Sequence, residues 1–489
     1  MKKKLQNHRG AFIICFIFLV IYSLISITNH YLFRTFALDL GMFNHALYSF
    51  SKGDSANYLL GVSGIELPYF ATHFSPLLIL FSPLRYVFGT YTLLVIQIVS
   101  IIFGGLGIYK YALKELNGSK LVARILLIQF LSIWGIFSAL SFDFHMNVIG
   151  VMFLPWFIYF FEKQKAKISL ILLACIILSI ETMTLWMLFV IVALILKNRA
   201  SISWKTNKTP FFLLFFTLFS SIIILYFIMP SYQHSNNNLQ FEKYIDFGKN
   251  PYEIVQFLFS NPLKFLQLFF GNNIDPEYDG IKLETLLMLL FSGGILVVVR
   301  PLYLLMLLPV LAQKFMSDEY GMWGINNQYS IEFVPIISLV IIDFIKTFKK
   351  LKLIIAIVFM TTSIVATIST INHRKSKWYS NINTNFLHKK HYDSSMKITT
   401  VYKAMEQINE SDIVSTVSNL APHLAFRDNI YHFPNIKKAN CIVLLKSVEY
   451  SYPLSAKDYE SEISKLRIDT SFVVKYEDQD LLIFKKKEH

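Results

Sequence analysis

Long apolar runs separated by short basic turns fill most of this chain. The runs "AFIICFIFLVIYSLISIT" (11–28), "PFFLLFFTLFSSIIILYFIM" (210–229) and "LIIAIVFMTTSIVATIST" (353–370) stand out. Each approaches the roughly 20 residues that a helix needs to cross a hydrocarbon core. The turns between runs hold the cations: "EKQKAK" (162–167), "KNRASISWKTNK" (197–208) and "KTFKKLK" (346–352). Basic loops favour the cytoplasmic face. Lys2, Lys3, Lys4 and Arg9 therefore place the N-terminus inside, and residues 29–89 and 141–147 outside. The pattern predicts a polytopic α-helical membrane domain over 1–371, with about eleven crossings.

One run does not fit a single span. Residues 168–196 are too long for one crossing, contain Glu181, and are basic at both ends. Two short helices turning near Glu181 would return both flanks to the same side, whereas one tilted helix would separate them. Helices lying along the outer membrane face are expected at 38–52, 74–88 and 251–271. After 371 the periodicity shifts to short strand-like runs, "DIVSTV", "CIVLLK" and "SFVVKYEDQDLLIFKK", with helical stretches near 396–408 and 456–466. This predicts a small α/β domain over 372–489 on the external face, its last two strands paired around Glu-Asp-Gln-Asp.

Composition agrees with the pattern. Of 489 residues, 54% are hydrophobic and 16% charged, well below the roughly one quarter usual in soluble domains. The net charge of +14 lies in the turns, so nucleic acid is not implied. Three scattered cysteines form neither a disulfide framework nor a metal-binding spacing. "MKKKLQNHRG" resembles the start of a signal peptide without a cleavage site, so the first run is taken as an uncleaved helix. Phosphate-binding glycine loops and serine-nucleophile motifs are not evident. No cofactor is expected, and nothing in the residues calls for a divalent metal.

On this topology the unusual polar groups fall on the external side: Asp39, His45, His73, Arg85, Asp143, His145 and Glu181. Ionisable groups within or bordering a span are costly and call for a function. Asp39 precedes an apolar stripe of Leu40, Phe43, Leu47 and Phe50 at helical spacing. It can cap that helix, act in a reaction centre, or do both. Asp143 can cap the fourth crossing, His145 can be an interfacial histidine, and His73 a loop residue. Glu181, inside an apolar run, needs a partner.

"LDLGMFNHALYSFSKG", "THFSPLLILFSPLRYVFGTYTLLVIQ", "FDFHMN" and "VSTVSNLAPHLAFRDNIYHFP" resemble a family of bacterial membrane proteins termed domain of unknown function 2079. That family in turn is similar to glycosyltransferases of the GT-C class, which take a sugar from a polyprenyl-phosphate carrier to an acceptor outside the cytoplasm. Asp39 matches the acidic position of the GT-C first external loop, while His73 and Pro76 match a proline-rich second segment. Two departures are visible: Leu40 and Gly41 follow a single acid, and "SIETMT" around Glu181 keeps only the glutamate of a Lys-Glu-Asp pattern. The resemblance implies a multi-pass enzyme of the bacterial plasma membrane with a polyprenyl-phosphate sugar donor and a glycan, lipid or protein acceptor. Asp39 would be the general base, with Glu181 catalytic or orienting. His45, His73, Arg85, Asp143 and His145 would bind substrate or stabilise the departing phosphate. Two other classes stay open: a transporter or flippase using Glu181 and the histidines, and a non-catalytic assembly or receptor protein.

Overall fold

A computed structural model of the chain describes residues 8–200, 202, 207–232, 244, 246–248, 251–348, 350–375 and 380–487. Lys2, Lys3, Lys4 and Lys205, part of the charge that orients the N-terminus and the fifth turn, lie outside the described residues. So does most of the loop that follows residue 232.

The molecule is an apolar helical bundle joined to a small mixed sheet. The bundle begins with α1 (Arg9–Tyr31), whose 23 residues extend about 35 Å at the usual rise per residue. A turn at Ala37–Gly41 leads into α2 (Met42–Ser51). A two-residue ribbon, β1 (Asn57–Tyr58) against β2 (Leu67–Pro68), precedes α3 (Leu77–Phe81) and the long α4 (Thr92–Glu115). Then come α5 (Lys120–Leu131) and α6 (Trp134–Leu140), bent by 43° relative to one another. They are followed by α7 (Met146–Glu162), α8 (Ala166–Ile177), α9 (Thr182–Lys197) and α10 (Thr209–Ile222). The amphipathic pair α11 (Pro251–Ser260) and α12 (Pro262–Phe270) and the helices α13 (Ile281–Leu289), α14 (Pro301–Phe315), α15 (Phe333–Thr347) and α16 (Lys352–Asn372) complete the bundle.

Among the described residues, four helical runs are long and apolar enough to cross a membrane: Arg9–Tyr31, Leu77–Glu115, Thr209–Tyr232 and Lys352–Asn372. Counting the bent α5–α6 pair as one span makes five. Four further apolar helices, α7, α8, α9 and α14, are shorter. Length and composition therefore account for part of the expected crossings only.

The awkward run 168–196 folds as two short helices with a break at Leu178–Glu181. Lys197, at the end of α9, lies 3.4 Å from Glu162, at the end of α7 and just before α8 begins. The two arms therefore start and finish on the same side. The tip is held from outside: Leu77 N–H donates to Leu178 O at 2.9 Å. Gly150 on α7 lets the tip approach, since a Cβ there would lie 2.1 Å from Ser179 Oγ.

Beyond α16, α17 (Ile398–Met405) and α18 (Ala456–Ile468) flank a five-stranded sheet of order β4-β3-β5-β7-β6. Its strands are β3 (Val414–Thr416), β4 (Ile430–His432), β5 (Cys441–Leu445), β6 (Phe472–Glu477) and β7 (Leu481–Lys486). β3 runs parallel to β4 and β5, and the β6–β7 hairpin adds antiparallel to β5. Asp478 closes that hairpin by accepting the N–H groups of Asp480 and Leu481 at 2.8 and 2.7 Å, as short polar side chains do in turns. The apolar core of this region is continuous with the start of the chain. Leu32, Phe33, Ala37 and Leu60 pack in the same cluster as Val414, Ile442 and Phe484.

Candidate active site

The chain leaves α1 through Phe33 in the left-handed region (φ 58°) and runs extended at Phe36 before the wide turn Ala37–Gly41. Such a turn exposes N–H groups that need acceptors. They are supplied from far along the chain. Asp143 Oδ2 accepts Phe36 N–H at 2.7 Å and, more distantly, Leu40 N–H at 3.5 Å. Asp143 thus caps the turn that carries Asp39, while α7, which it was expected to cap, has no side-chain cap. Asp39 makes no capping bond. Its Oδ1 instead accepts from His145 Nε2 at 3.1 Å.

The loop carrying Asp143 and His145 is itself fastened to α4. The fully buried Gln97 donates from Nε2 to Asp143 O and accepts His145 N–H on Oε1, both at 2.9 Å. Asp143 sits at φ 54°, a conformation that Asp tolerates better than most residues. Burial, aided by the nearby negative charge of Asp39, pushes the Asp143 carboxyl well above its ordinary value.

Asp39 lines a cavity of about 950 Å³. Three cations share that wall: Arg34, Arg374 and Lys390. Arg34 donates to the carbonyls of His391 and Asp393 at 2.6 and 2.5 Å. Arg374 donates to Asn326 Oδ1 at 2.9 Å and to Thr370 O at 2.7 Å. None of the three cations was singled out from the sequence, although a signal was present. Arg34 and Arg374 directly follow apolar runs on the side that the charge rule assigns to the exterior, where cations are disfavoured.

The other expected site residues lie elsewhere. Glu181, at the hairpin tip, is 3% exposed. Its Oε2 accepts Phe74 N–H at 2.9 Å and its Oε1 lies 3.7 Å from His73 Nδ1. Phe43 of α2 stacks on His73 on this side and meets Phe144 edge-on. Glu181 and His73 therefore form a second polar pair, and neither lines the large cavity. His45 on α2 has its Nδ1 3.2 Å from Asn57 O and its Nε2 3.4 Å from Asp428 O; burial lowers its pKa, and the neutral ring donates to one of the two carbonyls. Arg85 lies over the rings of Tyr48, Tyr86 and Phe426 and bonds Ser51. The structure thus brings together Asp39, Asp143 and His145, joins His73 to Glu181, and puts His45 and Arg85 in contacts between α2 and the 426–428 loop.

A cavity whose wall carries three carboxylates, Asp39, Asp393 and Glu449, and three cations, beside a mostly helical membrane-protein scaffold, offers both a proton acceptor and groups that can meet a negative charge. Comparison with solved structures finds the same overall fold in ArnT from Cupriavidus metallidurans, crystallised with undecaprenyl phosphate bound. The TM-score is 0.52 at 10% identity, over 96% of this chain and 97% of the other. No curated protein matches in sequence. The family described as "Predicted membrane protein (DUF2079)" matches residues 29–483. This chain therefore belongs to the DUF2079 family of predicted membrane proteins.

Proposed function

We propose that the protein is a GT-C-type glycosyltransferase that moves a sugar from a polyprenyl-phosphate carrier to an acceptor at the external face of a bacterial plasma membrane. The observation that carries this reading is the position of Asp39 in the cavity wall, bonded to His145 and sharing the wall with Arg34, Arg374 and Lys390. The fold shared with ArnT, which was crystallised with undecaprenyl phosphate, supports the class of carrier.

In this reading Asp39 takes the proton of the acceptor hydroxyl as that oxygen attacks the anomeric carbon. The new glycosidic C–O bond forms as the bond from that carbon to the phosphate oxygen breaks. The electron pair leaves with the polyprenyl phosphate, whose growing charge faces the three cations. His145 holds the Asp39 carboxylate in one orientation, and Asp143 fixes the backbone beneath it. The N-terminus is cytoplasmic, and residues 372–489 form an external domain that closes over the site.

The test is direct. Purified protein in lipid nanodiscs is given labelled polyprenyl-phosphate sugars together with a membrane-envelope acceptor fraction. Label should leave the carrier in a protein-dependent manner. Label that stays on every carrier offered would overturn the reading and favour a binding or transport role.

A further inference from the structure

The cavity is roomy for a small-molecule site. At about 950 Å³ it reaches the top of the roughly 300–1,000 Å³ range of small-molecule sites. Its wall is also divided by origin. The part built from the start of the chain brings Asp39 and Arg34 with Leu32, Phe36, Leu38 and, from the 141–145 loop, Ser141 and Phe142. The part built from residues beyond 380 is more uniformly polar. There the wall presents Ser394, Ser395, Asn419, Glu449, Tyr450 and Tyr452, and Ile382 is its one aliphatic side chain among the described residues. Hydroxyls and amides both donate and accept hydrogen bonds, and tyrosine offers an apolar ring face with a polar edge. The acyl chains of a lipid acceptor would need apolar cover, which this part of the wall lacks. A strongly anionic one would need an excess of cations, yet Arg34, Arg374 and Lys390 are matched by Asp39, Asp393 and Glu449.

Exposure gives the direction of entry. Asp393, Ser394, Ser395, Glu449 and Tyr452 are exposed, whereas Ser418 and Asn419 are buried. The buried pair grips the catalytic turn: Ser418 Oγ accepts Ala37 N–H at 3.2 Å, and Asn419 Nδ2 donates to Phe33 O at 2.6 Å. The wall therefore leads from water at Ser394 and Tyr452 down to the backbone that holds Asp39.

We infer that this wall is a carbohydrate-acceptor subsite, which takes a neutral glycan chain from the aqueous side and delivers one of its hydroxyls to Asp39. The inference rests on the transferase reading for the last step, but the binding it requires can be measured without transfer. Full-length protein in nanodiscs is applied to an array of bacterial cell-envelope oligosaccharides, with phospholipid vesicles and unglycosylated envelope peptides as parallel arms. Binding to undecaprenyl phosphate is followed separately. At least one array member should bind. The doubly substituted Ser395→Ala/Tyr452→Leu protein, altered only at exposed side chains, should bind it roughly tenfold more weakly, the order of effect of losing one good polar or ring contact. Its affinity for undecaprenyl phosphate should not change. Binding to no oligosaccharide, binding indifferent to the double substitution, or preference for the vesicles or peptides would overturn the subsite. Oligosaccharide binding without any release of sugar from the carrier would keep the subsite and sink the transferase reading. Release without oligosaccharide binding would do the reverse.

Discussion

Two aspartates, 39 and 143, divide a task that the sequence offers to either of them. Asp143 gives its carboxylate oxygen to the backbone of Phe36 and Leu40, and this frees the Asp39 carboxylate to face the cavity and His145. That division was not legible in the sequence, because the capping partners are 107 positions apart and capping rules reach only along the local chain. Asp39→Asn keeps an oxygen for His145 and breaks no cap, so stability should change by well under the roughly 1 kcal/mol of a lost cap. Transfer should fall by about 10²–10⁴-fold. Near-normal transfer in a folded Asp39→Asn protein would remove Asp39 from the chemistry. For Asp143 the test is pH. Its folded pKa is raised above the ordinary 3.8, so folding takes up a proton there. The resulting penalty is absent below about pH 4 and grows as pH rises toward the folded value. Asp143→Asn carries no such penalty. Its melting temperature relative to wild type should therefore improve from pH 4 to pH 8; a flat difference would show that Asp143 is ionised in the folded protein at no cost.

Among elements, the α8–α9 hairpin is the clearest case of structure foreshadowed by charge. Two basic flanks favoured a break, over one tilted helix, in a run that hydropathy alone reads as continuous, and the structure has the break. What charge could not supply was the partner of Glu181. Phe74 N–H fills that role, and a backbone donor has no sequence signature. The partner changes what substitution should do. Glu181→Gln retains an acceptor and should insert and fold. Glu181→Leu orphans a buried N–H, which costs roughly 1–3 kcal/mol, even though it removes a buried charge. Thermal unfolding in detergent separates the two cases: equal melting temperatures for Gln and Leu would mean that the Phe74 contact contributes nothing. The helices α2, α11 and α12 were visible as amphipathic stretches, whereas the 43° bend between α5 and α6 has no proline to announce it.

At the scale of the molecule, apolar runs and strand-like runs were enough to foresee a helical bundle followed by a small α/β region, and the β6–β7 hairpin falls where its turn residues indicated; the parallel pairing of β3 with β4 had no such signal. The count of crossings was less accessible, because short apolar helices such as α8 and α9 do not reach the length of a span. The orientation remains testable. Cysteines placed at the exposed positions Asp54 and Lys457 should react with a membrane-impermeant maleimide on whole cells, and one at Lys165 only after lysis. Labelling of position 165 from outside would invert the scheme, and opposite behaviour of 54 and 457 would dissolve the shared site. The grip of Ser418 and Asn419 on residues 33–37 also bears on how the protein is made. A ribosome delivers Asp39 well before its clamp, which follows hundreds of residues later. Until that late segment has folded back, the early turn lacks two of its fastenings. In the proposed transferase the surroundings of Asp39 would therefore be completed late in synthesis, and a chain stopped before residue 418 would meet carrier lipids without being able to act on them.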